Sequence, residues 1–108
     1  MELNIPYIDK IIPIIQDIAL PDQIILFGSY ARGNYTQKSD LDLLIIKRDL
    51  KNGNNIIDSI YRAFYENKIR ISVDLLAIDY TKYNELNNKI GYIYKTIKEQ
   101  GKIIYGTL

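Results

Sequence analysis

The stretch Ile24-Ile25-Leu26-Phe27-Gly28-Ser29-Tyr30-Ala31-Arg32-Gly33, followed after a short polar segment by Ser39-Asp40-Leu41-Asp42-Leu43-Leu44-Ile45-Ile46, decides how the chain is read. Each half contains a short continuous apolar run bounded by turn residues, the pattern of a strand buried on both faces. The first run ends in a glycine and a serine, and the second opens on aspartates at 40 and 42. Side chains alternate across a strand, so Asp40 and Asp42 point to the same face. Gly-Ser after a strand is by itself an ordinary turn, and Ser39-Asp40 an ordinary loop-to-strand junction. Asp42 is harder to dismiss, because a lone carboxylate inside a two-sided core strand is costly without a partner.

Working outward, Val73 to Ile78 is a third apolar run, and it too is interrupted by a carboxylate, Asp74. Ile8, Ile11, Ile12, Ile15 and Ile18 follow the spacing of one helical face. Pro13 lies inside that segment and predicts a kink or a break into two short helices. Ile57, Ile60, Tyr61 and Phe64 repeat with helical spacing after Lys51-Asn52-Gly53-Asn54-Asn55, whose asparagines suit helix caps. Tyr83, Leu86, Ile90, Ile93 and Ile97 predict one longer helix, with Gly101 as a left-handed cap and Lys102 to Tyr105 as a candidate final strand. The order is α-β-(short helix or loop)-β-α-β-α, an α/β (α+β) arrangement around a small mixed sheet. A helical crossover makes the second and third strands parallel, whereas the shorter excursion before the second permits antiparallel pairing with the first. The C-terminal end of strand one and the N-terminal ends of strands two and three then converge.

Composition narrows what that meeting point can do. The 108 residues suit one domain, 1–108, without a separate substrate-binding domain. The absence of Cys rules out disulfide scaffolds and thiolate sites. The absence of His removes the commonest general base and the serine–histidine triads. Carboxylates, hydroxyls, Lys and Arg remain, and oxygen ligands of that kind suit Mg²⁺ or Mn²⁺. A net charge of +1 creates no field that calls for direct nucleic-acid or membrane binding. No apolar run approaches the ~20 residues of a membrane helix and the N-terminus lacks a signal pattern, so a cytoplasmic protein is expected.

Asp40, Asp42 and Asp74 are therefore candidate ligands of a shared cation. Clustered carboxylates repel one another unless positive charge sits among them. Mg²⁺ usually takes one or two protein carboxylates and completes its shell with water and phosphate oxygens, which points to a nucleoside triphosphate. Gly28 and Ser29 fit the other half of such a site, with close backbone approach and outward N–H groups for an anion. Arg32 and Lys38 lie in the connecting segment and can neutralise phosphate, and Arg70 precedes strand three. Tyr83, Tyr92, Tyr94 and Tyr105 allow two readings, core packing or a partner surface.

Gly28-Ser29, ten residues, then Asp40-Leu41-Asp42 resembles the signature of the polymerase β-type nucleotidyltransferase superfamily. With Val73-Asp74-Leu75-Leu76 added, the chain resembles the minimal nucleotidyltransferases, the MntA-like antitoxins, over nearly its whole length. The resemblance implies a polymerase β-type fold and transfer of AMP from ATP to a hydroxyl. It implies Asp40 and Asp42 as ligands of two Mg²⁺ ions, and Asp74 as ligand of the catalytic ion and helper in deprotonating the acceptor. Gly28, Ser29 and Arg32 would bind the phosphates. It also implies a partner, a HEPN ribonuclease toxin carrying the acceptor tyrosine. Two alternatives remain open: an antitoxin that blocks its partner without catalysis, and the catalytic subunit of a small-molecule nucleotidyltransferase.

Overall fold

In the computed structural model, which describes residues 4–107, the interrupted strands lie side by side. β1 (Gln23–Phe27) pairs antiparallel with β2 (Leu41–Lys47), Phe27 opposite Asp42. β2 pairs parallel with β3 (Val73–Asp79), Asp42 opposite Asp74. The candidate final strand, β4 (Lys102–Gly106), pairs antiparallel with the free side of β1 and completes a sheet of order β3-β2-β1-β4. The convergence expected of the strand ends is thus met in the register of the sheet.

Both faces of the sheet are covered. On one, Leu41, Leu43 and Ile45 of β2 pack with Ile11 and Ile15 of α1 (Ile8–Ala19) and with Ile60 and Phe64 of α3 (Gly53–Glu66). On the other, Leu44 and Ile46 pack with Ile25 and Ile78 beneath Tyr83 of α4 (Tyr80–Leu86) and Ile97 of α5 (Ile93–Gln100). Alternation makes Asp42 the next residue of β2 on this second face. It stands where the packing of that face stops, half-buried, while its neighbours Leu41 and Leu43 are buried on the other. The excursion from β1 to β2 begins with a short helix, α2 (Gly28–Arg32).

Several local expectations are corrected. Pro13 does not divide α1, which runs unbroken from Ile8 to Ala19. Proline frees the carbonyl of Asp9, and both residues are exposed, so water can satisfy it. The single long helix of the C-terminal half is two, α4 and α5. Asn87, Asn88 and Gly91, all weak helix formers, fall between them, and Ile90, expected on the buried stripe, is 89% exposed. Gly101 is extended rather than left-handed, with φ −75° and ψ 163°. Its lack of a side chain serves close approach instead: a Cβ there would lie 2.7 Å from Cγ2 of Ile25 and 3.1 Å from the carbonyl oxygen of Leu26. Asn52 does occupy the N-cap of α3, but in a left-handed conformation without a side-chain cap bond. Tyr83 is buried, and Tyr94 packs against it edge to face, with ring centroids 6.2 Å apart, while Tyr105 packs against the first core, so these tyrosines are packing residues. Tyr92 is half exposed.

Leu44 is fully buried beneath α4 and α5 on the face that carries Asp42. Leu44→Ala should cost about 2–5 kcal/mol of stability, as other large-to-small core changes do, which urea unfolding will measure.

Candidate active site

Gly28 leaves β1 with φ +73°, a conformation that costs glycine little and other residues more. A Cβ at this position would overlap Oδ2 of Asp42 and stand 3.0 Å from its Cγ. The glycine is therefore needed twice, for the turn into α2 and for the space taken by the Asp42 carboxylate. Ser29 opens the first turn of α2 and is half-buried, and its carbonyl accepts the N–H of Gly33 at 2.9 Å.

Asp42 is the electrostatic centre. Burial raises its pKa to about 6, reinforced by the charge of Asp74, by the charge of Asp40 and by a hydrogen bond shared with the Asp74 carboxyl. The Arg32 guanidinium pulls in the other direction. Asp42 and Asp74 thus face each other across one rung of the parallel ladder, with Arg32 as a cation bearing on Asp42. Asp40 precedes β2, and its side chain is exposed. Among the described residues no group of three acidic side chains is drawn close enough to form a metal-binding cluster, so the expected trio is a facing pair with a third carboxylate nearby. Two oxygen-rich side chains short of positive charge, beside a glycine cradle, have the chemistry of a divalent-cation and phosphate site.

Asp74 is exposed on the outer strand, and its backbone is held from outside the sheet. The hydroxyl of Tyr61 on α3 donates to the carbonyl of Val73 at 2.9 Å and accepts the N–H of Leu75 at 3.0 Å. Sequence reasoning placed Tyr61 only in a helical stripe, since a hydroxyl aimed at a strand edge leaves no signal in spacing.

The remaining cations stand elsewhere. Lys38 sits in a tight exposed turn, where its N–H donates to Oγ1 of Thr36 at 3.2 Å and the Thr36 N–H donates to Oγ of Ser39 at 2.8 Å. Arg70 lines a cavity of about 490 Å³ with Tyr7, Tyr30 and Tyr35, the last two stacked at 4.3 Å. Another cavity, about 590 Å³, holds Asp79, at the opposite end of β3 from Asp74. The N–H groups of Leu50 and Thr81, each at 3.0 Å, hold that carboxylate below its usual range, so it serves as a cap. A smaller cleft, about 230 Å³, opens beside Gly28 and Arg32 and is closed on its far side by α5.

Comparison with known proteins agrees with this architecture. The model of the nucleotidyltransferase domain family matches residues 8–104. A candidate protein adenylyltransferase of Methanocaldococcus jannaschii is 35% identical over 85 residues, covering 77% of this chain and 77% of its own. Among solved structures, a chain of a toxin–antitoxin complex with AMP-PNP superposes with a TM-score of 0.64 at 26% identity, over 92% of this chain and 73% of that one. A chain from a complex of tri-AMPylated Shewanella oneidensis HEPN toxin with MNT antitoxin gives 0.54 at 25% identity, over 92% and 69%. This chain belongs to the nucleotidyltransferase domain family, as an MNT-like nucleotidyltransferase with the polymerase β-type fold.

The Asp42 carboxyl keeps its proton to higher pH in the fold than the value of 3.8 expected when unfolded. Protonation therefore favours the folded state, and this contribution grows as pH falls from about 6 toward 3.8 and is absent above that window. In metal-free buffer the Asp42 carboxyl resonance should titrate near 6, and lower in Asp74→Asn. Asp42→Asn should stabilise the chain at pH 7 and remove the gain in melting temperature between pH 7 and pH 5, as thermal unfolding will report.

Proposed function

We propose that this nucleotidyltransferase transfers AMP from ATP to a hydroxyl group, that of a tyrosine on a HEPN-type toxin partner, and so acts as an antitoxin. One observation carries the reading: the Asp42 carboxylate fills the place of a side chain at Gly28 while facing Asp74 across the ladder. That arrangement joins a carboxylate pair in need of positive charge to a backbone turn able to receive phosphate.

In this reading Gly28 and Ser29 receive the β- and γ-phosphates, and Arg32 neutralises part of their charge. Asp40 and Asp42 would hold Mg²⁺, which when bound neutralises the triphosphate and polarises the α-phosphorus. Asp74 orients the acceptor hydroxyl and takes up its proton at a carboxylate oxygen. The acceptor oxygen forms its bond to the α-phosphorus as the bond to the bridging oxygen breaks, and pyrophosphate leaves in line. The chemistry needs position and charge rather than a base of pKa near 7, so a chain without histidine is adequate to it.

The partner reading is supported by what the similar structures contain, toxin–antitoxin complexes, one with AMP-PNP and one with an AMPylated HEPN toxin. Cytoplasmic location belongs to the same proposal. Among the described residues no helix is long and apolar enough to cross a membrane.

Incubation with α-labelled ATP, Mg²⁺ and the HEPN partner should label the partner. Asp40→Asn/Asp42→Asn should lower the rate at least about 100-fold, since each lost charge contact removes several kcal/mol of transition-state stabilisation. A wild-type chain that neutralises its partner without transferring label would overturn catalysis in favour of simple blocking. Labelling of a small hydroxyl compound in place of the partner would assign the acceptor elsewhere.

A further inference from the structure

The cleft between α2 and α5 lies on the Asp42 face of the sheet. Phe27, Gly28 and Arg32 form one wall, and Ile93, Thr96 and Gln100 of α5 form the other. We propose that this cleft takes the nucleobase of the nucleotide, and that Gln100 and Thr96 make the site select adenine. The inference rests on the nucleotide reading above.

Size, lining and placement agree. A volume of about 230 Å³ is below that of pockets enclosing whole drug-sized ligands and suits one flat ring system. The lining is mostly apolar, with the aromatic ring of Phe27 on one side and Ile93 on the other, an environment for a base rather than for phosphate oxygens. Thr96 and Gln100 supply hydroxyl and carboxamide groups at the opposite wall. A carboxamide offers a donor and an acceptor together, which matches the N7 and N6 amino groups of adenine and not the two acceptors N7 and O6 of guanine. The cleft opens at Gly28, so phosphates placed on Gly28 and Ser29 leave the nucleoside within reach.

The α5 wall is held in place before any ligand arrives. Ile97 is 1% exposed and anchors the helix against the sheet. Gly101, next after Gln100, lies so close to Ile25 and Leu26 that no side chain would fit. The backbone at Gln100 is therefore fixed relative to the strand end from which Gly28 departs, which sets where its carboxamide can reach.

Calorimetry with Mg²⁺ and three probes, AMP-PNP, GMP-PNP and inorganic tripolyphosphate, tests this. Wild type should bind AMP-PNP more tightly than GMP-PNP. Gln100→Ala should weaken AMP-PNP about tenfold and leave the other two unchanged. Thr96→Trp, which fills the cleft, should weaken both nucleotides and spare tripolyphosphate. Both positions are exposed, so neither change threatens the core. Equal wild-type affinity for the two nucleotides, unchanged AMP-PNP binding in both variants, or parallel loss of tripolyphosphate would overturn the proposal while leaving the phosphate site intact. Failure of wild type to bind any of the three would overturn the nucleotide reading itself.

The Tyr61 contact carries a second, independent inference. β3 is an outer strand, and Val73 C=O and Leu75 N–H are the edge groups on either side of Asp74. One phenolic hydroxyl satisfies both, in the manner of a neighbouring strand. We infer that Tyr61 is a positioning residue for Asp74, again on the basis of the proposed reaction. Tyr61→Phe should lower kcat about tenfold with KM for ATP unchanged. Ile15→Val, in the same core but on α1 and without this contact, should lower stability and leave kcat of the folded protein unchanged. An unaltered kcat in Tyr61→Phe, or equal kcat losses in the two variants, would overturn the role. A wild type without transferase activity would instead overturn the reaction.

Discussion

The parallel rung between Asp42 and Asp74 is the constraint on which the site depends. Strand register sets the two carboxylates side by side on adjacent strands, so their mutual repulsion is built into the fold. The neighbouring antiparallel rung places Phe27 opposite Asp42 and delivers Gly28 to the same point. The raised pKa of Asp42 reflects first its burial and then the charge of Asp74 beside it. An ionised Asp42 therefore costs the sheet some stability, a cost that positive charge at this point would offset.

That cost is localised because the two faces of β2 have different roles. Leu41, Leu43 and Ile45 keep one face apolar to the end of the strand, packed under α1 and α3. On the other face the apolar series stops at Leu44, and Asp42 occupies the next position. The break in hydrophobic pattern is the same event, seen in sequence, as the end of packing on that face. Net charge says nothing about it, since a value of +1 for the chain conceals a local excess of carboxylate.

This explains which parts of the fold and site are legible in the sequence alone. The strands, their relative directions and the meeting of Gly28, Asp42 and Asp74 follow from apolar runs, alternation and connection length, which are local or topological rules. The division of the C-terminal helix was not legible, because Ile90 and Ile93 continue a helical period while Asn87, Asn88 and Gly91 weaken the helix only by small increments. The role of Gly101 is ambiguous in the sequence because glycine serves both left-handed caps and close contacts, and only packing against Ile25 distinguishes them. Tyr61 is legible only as part of a helical stripe, since the backbone groups its hydroxyl meets lie on β3, and Thr96 and Gln100 face a cleft wall remote from them in sequence.

The pairing of β4 with β1 has a kinetic consequence. Gln23 meets Gly106 and Leu26 meets Lys102, so the contact that seats the end of α5 joins segments far apart in the chain. Loop closure of that length is slow compared with the nearer association of β1, β2 and β3. During folding the carboxylate pair and its glycine can assemble as a three-stranded unit before the α5 wall exists. A chain at that stage would carry the glycine turn and the carboxylate pair without the wall that α5 adds to the cleft beside them.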